Sequence, residues 1–252
     1  MTDIVLDKHL GIVELPEPFN VNTYKRRIKQ LSSLLFDEMP KKISHSCDLG
    51  HASTVHMYKA TFQDGSKKDF YVKQSWEGVY KEALGMTLAN MLQDAGHNYF
   101  LWDDRFGNHN LVMENLPGED FYVPKGKEKE VAFNLGYSME LVNALSLKDR
   151  WVTNVLLTET FNINHIDFGS LFYPGDNGSI EYLIDFHSMD SVQLNKGRVA
   201  GKEVVRQNFK DNKNLIEDLI VYARSFEDFT CVQKPVCDDP FVYMCDYLGV
   251  AR

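Results

Sequence analysis

The sequence predicts an α+β fold in which a small antiparallel sheet precedes a helical carboxy-terminal part. Residues 55–62 and 70–73 are strand-like runs joined through Asp64-Gly65, a dipeptide suited to a hairpin turn. Farther on, residues 131–147 and about 201–226 repeat apolar side chains at helical spacing. With 252 residues, 44% hydrophobic and 25% charged, the chain is long enough to bury a core, and disorder is not the default.

Taken in order, residues 1–20 read as loop, because Pro16 and Pro18 prevent a long helix. Asn22 or Thr23 caps a helix to about Glu38, with Tyr24, Ile28, Leu31 and Leu35 on one stripe, and Pro40 ends it. From Ile43 the period changes. Before the hairpin lies Asp48-Leu49-Gly50-His51-Ala52-Ser53-Thr54. As a tight turn it offers backbone N–H groups and the Ser53 and Thr54 hydroxyls to a phosphate; an ordinary β-turn is the equal alternative. A helix follows over about 80–94, with Ala83, Leu84, Leu88 and Leu92 inward. Residues 97–106 turn into another strand, 110–113 form a further one, and 125–129 are charged surface. The helix over 131–147 turns Val131, Leu135, Met139, Val142 and Leu145 inward. Pro174-Gly175-Asp176-Asn177-Gly178 is a turn, 182–186 a strand, and the long helix from about Gly201 carries Val205, Phe209, Leu215, Leu219 and Tyr222. The aromatic-rich stretch 240–247 packs back on the domain.

The chemistry concentrates in residues 148–172. Asp149-Arg150-Trp151-Val152-Thr153-Asn154 is followed by apolar 155–157 and 163–166 around a polar turn, which reads as a short hairpin. That hairpin brings Asn154 and Asp167 side by side at its open end. An amide oxygen beside a carboxylate suits a hard cation such as Mg²⁺, and phosphoryl transfer needs such a pair plus a carboxylate for the acceptor hydroxyl.

Asp149-x4-Asn154 with Ile166-Asp167-Phe168-Gly169 resembles the catalytic loop and metal-binding Asp-Phe-Gly of the protein kinase superfamily, with wording closest to the phosphoinositide 3/4-kinase-like branch. The resemblance is strong over 148–172, extends back to about Lys59, and is absent from both ends. It implies a two-lobed fold: an extension over residues 1–40, an amino-terminal lobe over 41–118 and an abbreviated carboxy-terminal lobe over 119–252. ATP and Mg²⁺ (or Mn²⁺) bind between lobes in that family. By the same resemblance Asp149 orients and deprotonates the acceptor hydroxyl, and Asn154 and Asp167 are metal ligands. Lys73 grips the phosphates and is held by Glu82, with Glu77 in reserve. Gly50, Ser53 and Thr54 fall where kinases cover the phosphates. Met113, Glu114 and Leu116 fall at the hinge that holds adenine through backbone groups. Two departures stand out: the phosphate-covering stretch has a single glycine, and Trp151 stands where a lysine or histidine is usual. Lys148 or Arg150 is the candidate to replace the missing charge.

The activity this implies is phosphorylation of a protein hydroxyl by an atypical, minimal kinase. Alternatives are a phosphoinositide or small-molecule acceptor, nucleotidyl transfer, and a non-catalytic pseudokinase scaffold. Ser170 to Ile184 contains no Lys or Arg, which disfavours an anionic headgroup. So short a carboxy-terminal part suggests that a partner or activating cofactor completes the site. A net charge of −9 argues against nucleic-acid binding, and Lys25, Arg26, Arg27 and Lys29 read as a solvated helix face. No apolar run reaches membrane-span length. The four cysteines lack zinc-type pairing, as expected of free thiols in a cytoplasm, whether the cell's own or that of a host receiving an exported effector. Among the eight histidines, His165 reads as a core or edge residue, and His45 with His51 or His56 makes no convincing metal spacing. Ile184-Asp185-Phe186-His187 repeats the Ile-Asp-Phe wording without the upstream partners, so Asp185 reads as structural.

Overall fold

A computed structural model describes residues 3–13, 24–49, 54–75, 78–103, 109–147, 150, 152–172, 183–185, 187–226 and 239–252. The fold is mixed α+β. Five strands, β1 (Lys42–Leu49), β2 (Thr54–Thr61), β3 (Lys67–Ser75), β4 (Tyr99–Asp103) and β5 (His109–Glu114), form an antiparallel sheet in the order β1-β2-β3-β5-β4. The β2–β3 hairpin turns at Asp64-Gly65, where Gly65 takes the positive φ of 87° that the turn requires.

Strand alternation gives this sheet two covered faces. Tyr58, Ala60, Phe70, Val72, Phe100, Trp102 and Val112 point one way, and Ile28, Leu31 and Leu35 of helix α2 (Tyr24–Phe36) close over them. Leu101 and Leu111 point the other way and join a second core with helix α3 (Val79–Gln93), in which Ala83, Leu84, Leu88 and Leu92 are fully buried. The sheet thus carries α2 on one side and α3 on the other.

The rest is built on helix α4 (Glu128–Ala144), the 33-residue helix α5 (Ser191–Ala223) and helix α6 (Pro240–Leu248). Asp190 caps α5 by accepting from the Val192 and Gln193 amides, and Asp239 caps α6 by accepting from Phe241 and Val242. Helices α4 and α5 meet backbone to backbone: a Cβ on Gly197 would lie 1.9 Å from the Phe133 carbonyl oxygen, and one on Gly201 2.3 Å from that of Tyr137. Helix α6 is tied to α4 by Tyr243, which donates to the Asn143 carbonyl at 2.8 Å. Tyr247 donates at 2.5 Å to buried Glu140, which Arg198 also binds at 3.0 Å. A small sheet of β6 (Glu119–Asp120), β7 (Val155–Leu157) and β8 (Ile163–His165) lies beside α4. No helix among the described residues is long and apolar enough to cross a membrane.

Several expectations need correction. Within residues 1–20, Asp3–His9 forms a helix, α1, because Leu6 and Leu10 repeat one turn apart and both bury; beyond it Ile12 bridges to Leu101. Asp48 and Leu49 belong to strand β1 and Thr54 opens β2, so only 50–53 are left for the proposed phosphate turn, and these lie outside the described residues. Instead of a strand over 182–186, Leu183–Asp185 is helical, with the His187 amide returning to the Leu183 carbonyl. The long helix begins at Ser191 rather than near Gly201.

Candidate functional site

Lys73 lies on β3 with its side chain on the α3 face of the sheet, since it pairs across to Leu111 while Val72 points to the α2 side. Gly78, with φ of 93°, turns the chain into α3 and sets Glu82 in the first turn of that helix. The two side chains meet: Lys73 Nζ is 2.5 Å from Glu82 Oε2, with side-chain exposures of 16% and 4%. Burial opposes charge on both. At Lys73, burial pulls the pKa down, but the attraction of Glu82 and then Asp167 outweighs it and the pKa rises. At Glu82, burial lifts the carboxyl, Lys73 pulls it back, and the negative charge of Asp167 lifts it again. Asp167 acts on both members, and it is the third charge of the cluster.

Asp167 reaches that position through the β7–β8 hairpin. A 3₁₀ turn, Val152–Asn154, leads into β7, and the Val155–His165 pairing is prolonged by the Ile166 amide donating to the Asn154 carbonyl at 3.2 Å. Asn154 and Asp167 therefore flank the same end of the hairpin. Asp167 has φ of 57°, a left-handed conformation that aspartate tolerates better than most residues. Its Oδ1 accepts from the Gly169 amide at 3.2 Å, and the residue is otherwise exposed. The turn is held from behind by Arg150, fully buried, whose guanidinium donates to the Ile166 carbonyl at 2.6 Å and to the Asp167 carbonyl. Phe168 packs into the underside of α3, where a Cβ on Gly85 would lie 2.5 Å from the Phe168 Cβ. On its other side the His97 ring stands edge-on at 5.1 Å.

The exposed Asp167 carboxylate and half-buried Asn154 are hard oxygen donors beside an ammonium, a chemistry that fits Mg²⁺ or Mn²⁺ and a polyphosphate. Met113 lies on the Lys73 face of β5, one cross-strand pair along from Leu111. Glu114 is on the other face, where its carboxylate meets Asn98 at 3.0 Å and Lys68 at 3.6 Å; Leu116 is buried. Glu77, Gly50, Ser53, Lys148, Asp149 and Trp151 lie outside the described residues, and of Thr54 only the strand position is described. A cleft of about 920 Å³ between Ala95-Gly96, Leu116–Glu119 and the β7–β8 turn contains none of Lys73, Glu82 and Asp167, so it is separate from this cluster. His165 is buried; burial, then Arg150, depress its pKa to about 3, so it is a neutral core residue.

The chain matches no family model and no curated protein. Sequence reasoning singled out Lys73, Glu82, Asn154 and Asp167, and the structure brings Lys73, Glu82 and Asp167 within mutual electrostatic reach. It missed Gly85. A glycine inside an otherwise helical run is a signal of close approach, since it weakens the helix unless packing demands it. Arg150 donates to the backbone carbonyls behind Asp167, and its charge also acts on Glu82. No local signal distinguishes a buried guanidinium from an exposed one.

Proposed function

We propose that this chain is an ATP- and Mg²⁺-dependent phosphotransferase of kinase type, with the sheet and α3 as one lobe and α4 to α6 as an abbreviated second lobe. The observation that carries the reading is the buried Lys73–Glu82 ion pair facing Asp167 at the mouth of the Asn154 hairpin. A lone surface Lys–Glu contact contributes little and recurs everywhere. A desolvated pair aimed at an exposed carboxylate is costly to bury and suits a divalent cation together with the anionic ligand that the cation brings.

In this reading Lys73 holds the nucleotide phosphates, and Glu82 fixes where the ammonium sits. Asn154 and Asp167 hold Mg²⁺, which when bound supplies charge neutralisation of the phosphates. Arg150 and Phe168 hold Asp167 in its left-handed turn, so that its carboxylate faces Lys73. Asp149 orients and deprotonates the acceptor hydroxyl; this role rests on the sequence spacing alone. A protein hydroxyl is favoured as acceptor because residues 170–184 offer no cation to an anionic headgroup.

The test is incubation with γ-labelled and, separately, α-labelled ATP plus Mg²⁺, with and without cell extract, comparing wild type with Asp167→Asn. We expect γ-label transfer lost by at least about a hundredfold in the variant, its fold unchanged. Transfer of α-label instead means nucleotidyl transfer by the same site. ATP-dependent stabilisation without transfer of either label means a nucleotide-binding pseudokinase, the reading favoured by Trp151 and the single glycine at Gly50.

A further inference from the structure

Strands β1 and β2 pair in simple antiparallel register from Lys42–Thr61 to His45–Tyr58, and the register then shifts so that Cys47 faces Met57 and Asp48 faces His56. The extra residue is Ser46, a β-bulge. Its consequence is a change of parity. Without it His45 and Asp48, three residues apart, would point to opposite faces of the sheet. With it, His45 shares the face of Tyr58, and Asp48 shares that of His56, which is the same face. Asp48 Oδ1 consequently lies 2.7 Å from His45 Nε2 and 2.5 Å from His56 Nδ1. All three ligand atoms fall within 4.8 Å of one another. The Tyr58 ring, buried, forms the floor, with the His45 ring 5.4 Å and the His56 ring 6.3 Å away. Cys47, on the opposite face against Met57, is not part of the set.

We propose that His45, Asp48 and His56 form a binding site for a divalent transition-metal ion, zinc before others, on the β1–β2 hairpin. Two imidazole nitrogens and one carboxylate oxygen are the donor types that favour zinc over magnesium or calcium, which prefer all-oxygen shells. Three ligands with the side chains of His45 and Asp48 about half or more exposed leave room for water or a fourth ligand from solvent. Ligand atoms around zinc stand about 2 Å from the ion and so roughly 3.3 Å apart, so seating an ion needs small shifts in which the carboxylate withdraws and the imidazoles adjust. The site is distinct from the phosphotransfer cluster. Val72 is the cross-strand partner of His56 and Lys73 that of Val55, so His56 and Lys73 point to opposite faces. An ion here would clamp β1 to β2 beside residues 50–53.

The test uses the full chain, freed of metal with chelator, titrated with zinc by calorimetry and with cobalt(II) by absorption. We expect one ion bound at this site, a cobalt spectrum without an intense thiolate charge-transfer band, and a raised melting temperature. His56→Ala and Asp48→Ala should weaken binding on the order of ten- to hundredfold. Asp167→Asn should leave it unchanged even if it abolishes phosphotransfer, and loss of phosphotransfer alone does not bear on this site. The proposal is overturned if wild type binds no zinc below about 100 µM, if a thiolate band dominates, or if His45→Ala/His56→Ala binds as well as wild type. The first two outcomes need no variant, so a misfolded substitution cannot shield the idea.

Discussion

Replacing Gly85 with alanine tests whether α3 and the Asp167 turn are one mechanical unit. The added Cβ would meet the Phe168 Cβ at 2.5 Å, where carbon atoms ordinarily rest about 3.5–4.0 Å apart. Phe168 or α3 must therefore move by about 1–1.5 Å. Phe168 is fully buried between α3 and His97, so it has little room to yield. Overpacking of this kind costs about 1–3 kcal/mol. Against that, alanine favours a helix interior over glycine by about 1 kcal/mol. The net loss of stability is then small, about 0–2 kcal/mol. The displacement, however, falls on the parts that matter: Glu82 lies one turn before Gly85, and Asp167 is joined to Phe168. A misplacement of about 1 Å at reacting groups costs about a hundredfold in rate. Gly85→Ala should accordingly fold, melt within several degrees of wild type, and lose most γ-label transfer. Thermal melting with labelled-ATP transfer on the same preparation reads both. Full transfer in a well-folded variant would refute the claim that Phe168 packing sets Asp167.

Three further outcomes follow from the same packing and charges. Glu82→Gln leaves the buried Lys73 ammonium with one anion fewer, and denaturant unfolding should show a loss of about 3 kcal/mol; an unchanged midpoint would show that the pair contributes nothing. Gly197→Ala drives a methyl against the Phe133 carbonyl, a rigid backbone atom 1.9 Å away, so the gain in helix propensity cannot compensate. A loss of about 2 kcal/mol or more is expected in the same assay, and a neutral result would mean that α4 and α5 separate freely. Finally, burial depresses His97 to about 4 and His165 to about 3, below their ordinary 6.5. Lowered folded-state values mean stability that is full above pH 6.5 and is lost as the pH falls toward 3. Between pH 7 and 5 the two should remove about 3–4 kcal/mol together, and His97→Gln should flatten the melting profile over that range. A wild-type profile already flat there would refute it.

What was legible in the sequence was what local chemistry decides. The β2–β3 hairpin announces itself through Asp64-Gly65, and the α2 stripe through Ile28, Leu31 and Leu35, all buried. The contact between Lys73 and Glu82 that the kinase resemblance implies is present. What stayed hidden depends on contacts between distant segments. The first turns of α5 were missed because Gly197 and Gly201 bury backbone against α4 and leave no apolar stripe to read. The apolar run at 182–186 reads as a strand, yet among the described residues Leu183–Asp185 closes a helical turn instead. The nearness of His45, Asp48 and His56 has no signal in sequence spacing, because alternation puts residues 45 and 48 on opposite faces and the bulge at Ser46 that reverses this is not visible in the sequence.

Two cations stand near the Asp167 carboxylate, and they are not equivalent. Arg150 is buried and donates to the Ile166 and Asp167 carbonyls, so it stabilises the shape of the turn, and its charge also acts on Glu82. Lys73 is on the open side but is matched by Glu82. Glu82 thus feels both cations: burial raises its pKa first, Lys73 lowers it, Asp167 raises it again and Arg150 lowers it. On the proposed function, a divalent cation at Asp167 would add positive charge to this site and so favour an anionic nucleotide, and nucleotide affinity is expected to depend on that cation.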